Sequence, residues 1–116
     1  MDIKTIEKLA YEFAMNLVQS EFDKAHSQFT SANQLIWPVS SLKKEYDEMI
    51  EYGEGVPQYI EVMQTDPMNG WASYRDGDIG WSYVAIVGDG YSEAVALIYC
   101  NENGLPRIRS IEWGRP

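Results

Sequence analysis

The apolar residues of this chain change their spacing near the middle of the sequence. Before residue 54 they recur every three or four positions, which is typical of amphipathic helices. From residue 59 onwards they form short segments typical of strands, and turn signals at 89–90 (Asp-Gly) and 103–104 (Asn-Gly) separate the last three. Helices followed by such a meander predict an α+β fold, in which three N-terminal helices pack on a curved, mainly antiparallel sheet.

The first two helices are predicted from two apolar stripes. The first stripe consists of Ile6, Leu9, Ala10, Phe13, Ala14 and Leu17. Ser20 with Asp23 has the form of a capping box that opens a short second helix. The apolar face of this helix consists of Phe22, Ala25, His26 and Phe29. The pair 37–38 (Trp-Pro) ends the region, because proline disfavours helical backbone at the residue before it.

A third helix and the strands complete the layout. Ser40 or Ser41 is expected to cap the helix, and Gly53 to end it. Its buried side is predicted to be Leu42, Tyr46, Met49 and Ile50. Strands are predicted at 59–63, 71–75, 79–87, 91–100 and 107–113. No repeat or linker interrupts the pattern, so residues 1–116 are interpreted as one domain.

The two turn signals also predict a strand register. With 89–90 as the loop, Trp81 lies opposite Ile98, and with 103–104 as the next loop, Ile98 lies opposite Arg109. Opposed residues share a face of the sheet. The face expected to meet the helices carries Trp81, Tyr83, Ala85, Ala94, Ala96, Ile98, Arg109, Ile111 and Trp113. The other face mixes apolar and polar residues, as either a subunit contact or a half-exposed sheet surface would.

The chain is strongly acidic, with 18 Asp and Glu residues against 9 Lys and Arg residues and a net charge of −9. Such a surface repels phosphate groups, which argues against nucleic acid and anionic membrane as partners. Two interpretations of the charge stay open. It either keeps the protein soluble or forms a docking face for a basic protein.

Three further features predict a cytoplasmic protein. No apolar run reaches the length of a membrane span, and charges run through the N-terminal helix where a secretion signal would be apolar. Cys100 is the only cysteine, so no disulfide can form within the chain, as is usual in a reducing compartment. Cys100 itself is interpreted as a buried, inert thiol, with a nucleophile as the alternative.

The segment LVQSEFDKAHSQFT, in which one helix ends and a small-residue helix follows, resembles the nuclear transport factor two-like superfamily. This superfamily includes ketosteroid isomerase and the scytalone dehydratase and polyketide cyclase relatives, and the layout is similar over nearly the whole chain. The resemblance implies a cystatin-like cone fold over residues 1–116, a pocket between the helices and the sheet, and a homodimer formed through the sheet.

Catalytic members of that superfamily generally place an acid or a histidine in the pocket. The strand positions expected to face inward carry no Asp or Glu in this chain, although ketosteroid-isomerase chemistry needs a carboxylate base and an oxyanion-stabilising pair. Tyr83 could donate a hydrogen bond, but no inward base accompanies it unless a helix supplies one. This departure argues against isomerase or dehydratase activity.

Two residues are candidates for a role in the pocket. His26, the only histidine, lies on the apolar side of its helix and is interpreted as a core residue, with pocket lining and general-base catalysis as alternatives. Arg109 is predicted to point inward, where a charge needs a partner. That partner is either a helix carboxylate such as Glu12 or an anionic ligand. Arg107 and Arg115 lie close by in sequence and suggest a local basic spot.

Signatures of metals and cofactors are missing from the sequence. A calcium loop beginning at Asp76 would need glutamate where Val87 stands, and GDGYSE lacks the third glycine of a dinucleotide site. One histidine and one cysteine cannot supply an ordinary zinc site. No metal site and no cofactor is therefore predicted.

Three functions stay open. The preferred one is a non-catalytic domain whose cone-shaped pocket binds a small apolar or anionic ligand and is lined by His26, Trp81, Tyr83, Ile98, Arg109 and Trp113. The second is an acidic protein-interaction module, such as an immunity or inhibitor protein for a basic toxin. The third is a cofactor-free isomerase, dehydratase or cyclase with His26 as its base. No catalytic residue is assigned.

Overall fold

The structure is a computed structural model that describes residues 3–53, 57–67, 74–88 and 91–114. Within these residues the helices are α1 (Ile3–Val18), α2 (Phe22–Ser27), α3 (Ser31–Ile36) and α4 (Val39–Gly53). The strands are β1 (Pro57–Asp66), β2 (Asp78–Gly88), β3 (Tyr91–Glu102) and β4 (Leu105–Gly114). The strands form one antiparallel sheet in the order β1-β2-β3-β4. The predicted α+β fold with N-terminal helices is confirmed.

The helix boundaries differ from the prediction around α2. Ser20 does not cap α2, whose N-cap is Glu21 and makes no side-chain hydrogen bond. Ser20 instead closes α1, with a positive φ of 60° and its amide 3.0 Å from the carbonyl oxygen of Leu17. Phe29 lies beyond α2 and forms a parallel bridge with Ile108 of β4. The predicted capping box was therefore wrong, because the serine serves the preceding helix.

A fourth helix, α3, was not predicted. Thr30 caps it by accepting a hydrogen bond of 3.1 Å from the amide of Asn33. The pair 37–38 does end the helical run, as predicted, and α4 then begins at Val39. The two serines proposed as its cap, Ser40 and Ser41, therefore lie inside the helix. The described part of α4 reaches Gly53, the predicted helix end, and the residues that follow, 54–56, lie outside the described residues.

Four of the five predicted strands are found among the described residues, with different boundaries. Strands β1, β2 and β4 run beyond both predicted ends, and β3 begins at the predicted residue but runs two residues further. Most of the predicted strand at 71–75 falls outside the described residues, and its last two residues are not in a strand. The turn at 89–90 also lies outside the described residues. The register predicted from it is nevertheless found, with Trp81 opposite Ile98.

The register between β3 and β4 is only half as predicted. From the 103–104 turn to the pair of Tyr99 and Ile108, the observed pairing is the predicted one. A β-bulge then places Ser110 rather than Arg109 opposite Ile98. The predicted pairing of Arg109 with Ile98 was therefore wrong. A bulge inserts one extra residue and moves the rest of the strand by one position, which exchanges its two faces.

The face of the sheet that packs on the helices is the opposite of the one predicted. The buried sheet residues of the core are Val84, Ile86, Val95, Leu97, Tyr99, Ile108 and Ile111. Ile111 and Trp113 reach this face because of the bulge. Both faces of β2 and β3 are apolar, so alternation gave no polar contrast by which to orient them. The β-branched and leucine side chains bury more apolar surface against the helices than the alanines could.

Helix α1 supplies the largest helical share of this core. Its buried residues are Ile6, Ala10, Phe13, Ala14 and Leu17, all on the stripe predicted from the sequence. A Cβ added at Gly80 of β2 would lie 3.3 Å from the side chain of Ile6, so the glycine allows the helix to approach the sheet closely. No helix among the described residues is long and apolar enough to cross a membrane.

Candidate functional site

The predicted pocket residues occupy three different places in the fold. His26 lies on α2, on the helical side of the sheet. Trp113 packs against the core and forms an edge contact with Trp37, with ring centroids 6.3 Å apart. The others, which are half-buried, belong to the opposite side of the sheet or to the bulge; they are Trp81, Tyr83, Ile98 and Arg109. Ligand contact by any of the six stays a prediction.

The side chain of His26 links α2 to α3. Its Nε2 atom lies 3.2 Å from the carbonyl oxygen of Gln34, and the Gln34 side chain donates a 3.2 Å hydrogen bond to the carbonyl oxygen of His26. The ring also meets Phe29 edge-on, with centroids 5.9 Å apart. Because a carbonyl oxygen only accepts, Nε2 carries the proton in this contact. This reciprocal pair supports the interpretation of His26 as a structural residue.

Arg109 is neutralised by a strand carboxylate, Asp78. Its Nε and Nη2 atoms donate bonds of 2.6 and 2.8 Å to the two carboxylate oxygens of Asp78, and the Arg75 amide donates a third of 2.8 Å. The Asp78 side chain is fully inaccessible, and only 13% of the Arg109 side chain is exposed. Glu12, the helix partner considered from the sequence, is therefore not the residue that binds Arg109.

The titration of this pair follows from its contacts. Burial alone would raise the pKa of Asp78, but the hydrogen bonds from Arg109 and Arg75 and the positive charges lower it below the ordinary value. The bond to Asp78 raises the pKa of Arg109. Cys100 lies opposite Asp78 in the register, and burial followed by the Asp78 charge raises the pKa of its thiol. The thiol therefore stays protonated at neutral pH, as expected of an inert cysteine.

The predicted basic spot is divided among separate contacts. The Arg107 guanidinium donates to the carbonyl oxygen of Ser27, at the end of α2. Arg109 of β4 is held by Asp78 of β2, across the intervening strand β3. Arg115 lies outside the described residues. Arg107 and Arg109 thus tie elements of the fold together.

No described helix packs on the second face of the sheet, which we call the outer sheet face. At its centre lie the half-buried Trp81, Tyr83, Ala96 and Ile98, together with the buried Ala85 and Ala94. At its edges lie Glu61, Asp66 and Glu112, paired in register with Ala85, Trp81 and Ala96. The rings of Trp81 and Tyr83 stack with centroids 5.9 Å apart and an angle of 5° between them. An aromatic and apolar centre is thus bordered by carboxylates on both sides.

One apolar groove lies between α1 and the edge strand β1. Its volume is about 310 Å³, and we call it the α1–β1 groove. It is lined by Tyr11, Met15, Val18, Gln19, Pro57, Gln58, Tyr59 and Ile60. Further cavities lie at the start of α2, along the exposed side of α4 and beside the 103–104 turn. None of these described cavities is lined by any of the six predicted pocket residues.

Sequence reasoning missed Asp78 and the open edge at β1. Extending the predicted β2 by one residue would have included Asp78 in the strand, but its position opposite Cys100 depends on a β-bulge between Asp78 and Gly80. No sequence signal marks β1 as an edge strand, since strand order depends on which strands pair. Among the described residues, no group of three or more His, Cys, Asp or Glu side chains is placed to hold a metal ion.

Comparison with known proteins found no matching family model, no matching curated protein and no matching solved structure. The resemblance to the nuclear transport factor two-like superfamily stays a prediction.

Proposed function

We propose that this chain is a non-catalytic domain that binds a basic protein through its outer sheet face. The observation that carries the proposal is the arrangement of this face, with half-buried Trp81 and Tyr83 at the centre and exposed Glu61 and Glu112 on opposite edges. Aromatic residues at the centre of a patch and charges at its rim are typical of protein-binding surfaces.

The net charge of −9 defines the class of partner. An acidic rim attracts a basic surface from a distance and accelerates association, while the apolar centre supplies contact area. A second copy of the chain would bring the same charge and the same acidic rim to the interface. A basic protein is therefore the favoured partner, although the homodimer predicted from the family resemblance is one outcome of the tests.

The ligand-binding and catalytic alternatives have less support. The anionic-ligand hypothesis depended on Arg109, whose Nε and Nη2 atoms donate to Asp78. The catalytic hypothesis depended on His26, whose Nε2 is engaged by the Gln34 carbonyl. In both cases the side chain that motivated the hypothesis is hydrogen-bonded to another group of the protein.

The test begins with immobilised chain exposed to a lysate of its source organism. Each captured protein is identified, purified and rebound by calorimetry at about 0.05 M and about 0.3 M salt, across which screening of exposed charges becomes strong. The double variant Glu61→Lys with Glu112→Lys is compared with Glu48→Lys with Glu51→Lys. The second pair makes the same charge change on the exposed side of α4.

The proposal predicts a basic partner whose dissociation constant rises steeply with salt. The outer-face variant should weaken binding at least about tenfold more than the α4 variant, because only the former places repulsive charge at the interface. A neutral or acidic partner, or equal weakening by the two variants, would contradict the proposal.

A further inference from the structure

We infer that the exposed edge of β1, together with the α1–β1 groove, binds an extended segment whose residues alternate between basic and apolar. This inference deepens the proposed function and rests on it. The segment would pair with β1 as an additional strand, a common mode of peptide recognition.

The two edges of the sheet differ in how they are covered. At β4, the Ile108 amide donates to the Gln28 carbonyl at 2.8 Å, and the Thr30 amide donates to the Ile108 carbonyl at 2.9 Å. The chain around Phe29 therefore occupies that edge. Within the described residues, the backbone of β1 pairs only with β2. β1 thus presents backbone donors and acceptors to an incoming strand.

The usable length of this edge is set by its irregularities. The register shifts between Pro57 and Tyr59 and again between Val62 and Gln64. Between these shifts, 59–62 runs regularly opposite β2. Bulges and proline commonly protect edges from indiscriminate pairing. A short segment that pairs with about four residues is therefore the expected occupant.

The surroundings of β1 specify what the side chains of that segment should be. On the helical side of the sheet, the groove is apolar and is lined by Ile60 of β1 and by Tyr11, 43% exposed. Tyr59, 56% exposed, pairs in register with Val87 and points to the outer sheet face. On the outer sheet face, exposed Glu61 lies at the centre of the regular stretch. Successive residues of a strand point to opposite faces. An added strand therefore places every second residue in the groove and the others beside Glu61.

Charge complementarity decides which occupant to expect. Lysine or arginine beside Glu61 gains an opposite charge across neighbouring strands, which is stabilising. A second copy of the chain would instead bring another Glu61 and another net charge of −9 to the same edge. We therefore assign this edge to an extended segment of the basic partner.

The probe is the peptide acetyl-Lys-Val-Lys-Val-Lys-Val-Lys-amide, titrated into isotope-labelled protein and followed by NMR. Three control peptides are used: the same residues in blocks, the alternating peptide with methylated backbone nitrogens, and a version with Glu in place of Lys. The amides of 59–62 and the side chains of Tyr11 and Met15 are expected to shift. The block and methylated peptides should bind at least about tenfold more weakly, because they lose the alternation or the backbone donors.

Two protein variants localise the site, each with a matched control. Glu61→Lys should weaken peptide binding at least about tenfold, whereas Glu48→Lys, the same charge change on the exposed side of α4, should change it less than about threefold. Tyr59→Ala should weaken binding, whereas Leu105→Ala, which removes a similarly exposed apolar side chain elsewhere, should not. These exposed substitutions leave the core intact, and a thermal melt of each variant checks this.

Several outcomes would overturn the inference. These are equal binding of the alternating and block peptides, shifts centred away from 59–62, or a self-association in sedimentation that Glu61→Lys abolishes. If a basic protein binds but the alternating peptide neither binds nor competes with it, the edge assignment fails and the proposed function stands. If neither a basic protein nor the peptide binds, both the edge assignment and the proposed function fail.

Discussion

Arg109 illustrates how a nearly buried charge is stabilised by the partner that the fold places beside it. An unpaired charge at a site this closed to solvent would be expensive. The two bonds from its guanidinium to Asp78 and the third from the Arg75 amide satisfy a carboxylate that is fully inaccessible. Removal of one partner would leave the other charge buried and uncompensated.

Asp78→Asn is therefore expected to lower the free energy of unfolding at pH 7 by about 3–5 kcal/mol. The folded-state pKa of Asp78 is lowered, so its stabilisation is fully present above the unfolded pKa and is lost as the pH falls below about 5. Urea titrations between pH 7 and pH 3 should give a flatter profile for the variant. Exposed Asp76→Asn is the control, and an equal loss in both variants would contradict the prediction.

Tyr99 represents the opposite case, a buried hydroxyl for which no protein hydrogen-bond partner is found among the described residues. Burial, together with the charge of Glu12, raises the pKa of this phenol well above its ordinary value. Tyr99→Phe removes only the hydroxyl, so we expect the free energy of unfolding to stay the same or rise by about 1 kcal/mol. A loss above about 1 kcal/mol in urea unfolding would indicate a hydrogen bond to that hydroxyl.

At the scale of secondary-structure elements, α3 and the chain before it attach the helices to the β4 edge. Thr30 caps α3, and the Asn33 side chain donates a 3.3 Å hydrogen bond to the Ile108 carbonyl. The same carbonyl accepts from the Thr30 amide. A short helix gains little stability from its own backbone bonds. Its position therefore depends on this cap and on these contacts with β4.

Thr30→Val keeps the shape of the side chain and removes the oxygen that accepts from the Asn33 amide. We expect a loss of about 1 kcal/mol in the free energy of unfolding, the usual effect of losing an N-cap. Thr30→Ser, which keeps the oxygen, should lose less. If the serine variant were the less stable of the two, methyl packing rather than capping would explain the effect.

At the scale of the whole molecule, charge and sheet topology act together. The net charge of −9 opposes compactness through self-repulsion, which salt screens. Some of the carboxylates that produce this charge border the outer sheet face and the β1 edge, where the proposed partner binds. The charge that favours recognition of a basic partner therefore reduces the stability of the protein alone.

We expect the melting temperature to rise by about 2–5 °C between about 0.02 M and about 0.5 M sodium chloride at pH 7. The variant Glu48→Lys with Glu51→Lys, whose net charge is smaller in magnitude, should gain less from the same salt. A melting temperature that falls with salt would mean that attractive ion pairs outweigh the repulsion. Scanning calorimetry on both proteins measures the difference.

Local patterns were sufficient for much of the fold. The stripe of α1 was read correctly from its spacing, and the register of β2 on β3 from one turn signal, since both depend on residues close in sequence. The sequence therefore determined the α+β class and the order of the hairpins. The acidic charge is likewise a property of the sequence alone.

Tertiary structure decided the orientation of the sheet, the partner of Arg109 and the open edge at β1. Both faces of the central strands are apolar, so only packing against the helices selected the face of Val84 and Leu97. The bulge at Arg109 then separated that residue from Ile111 and left it beside Asp78. These features depend on contacts between residues distant in sequence, whose free energies no local pattern records.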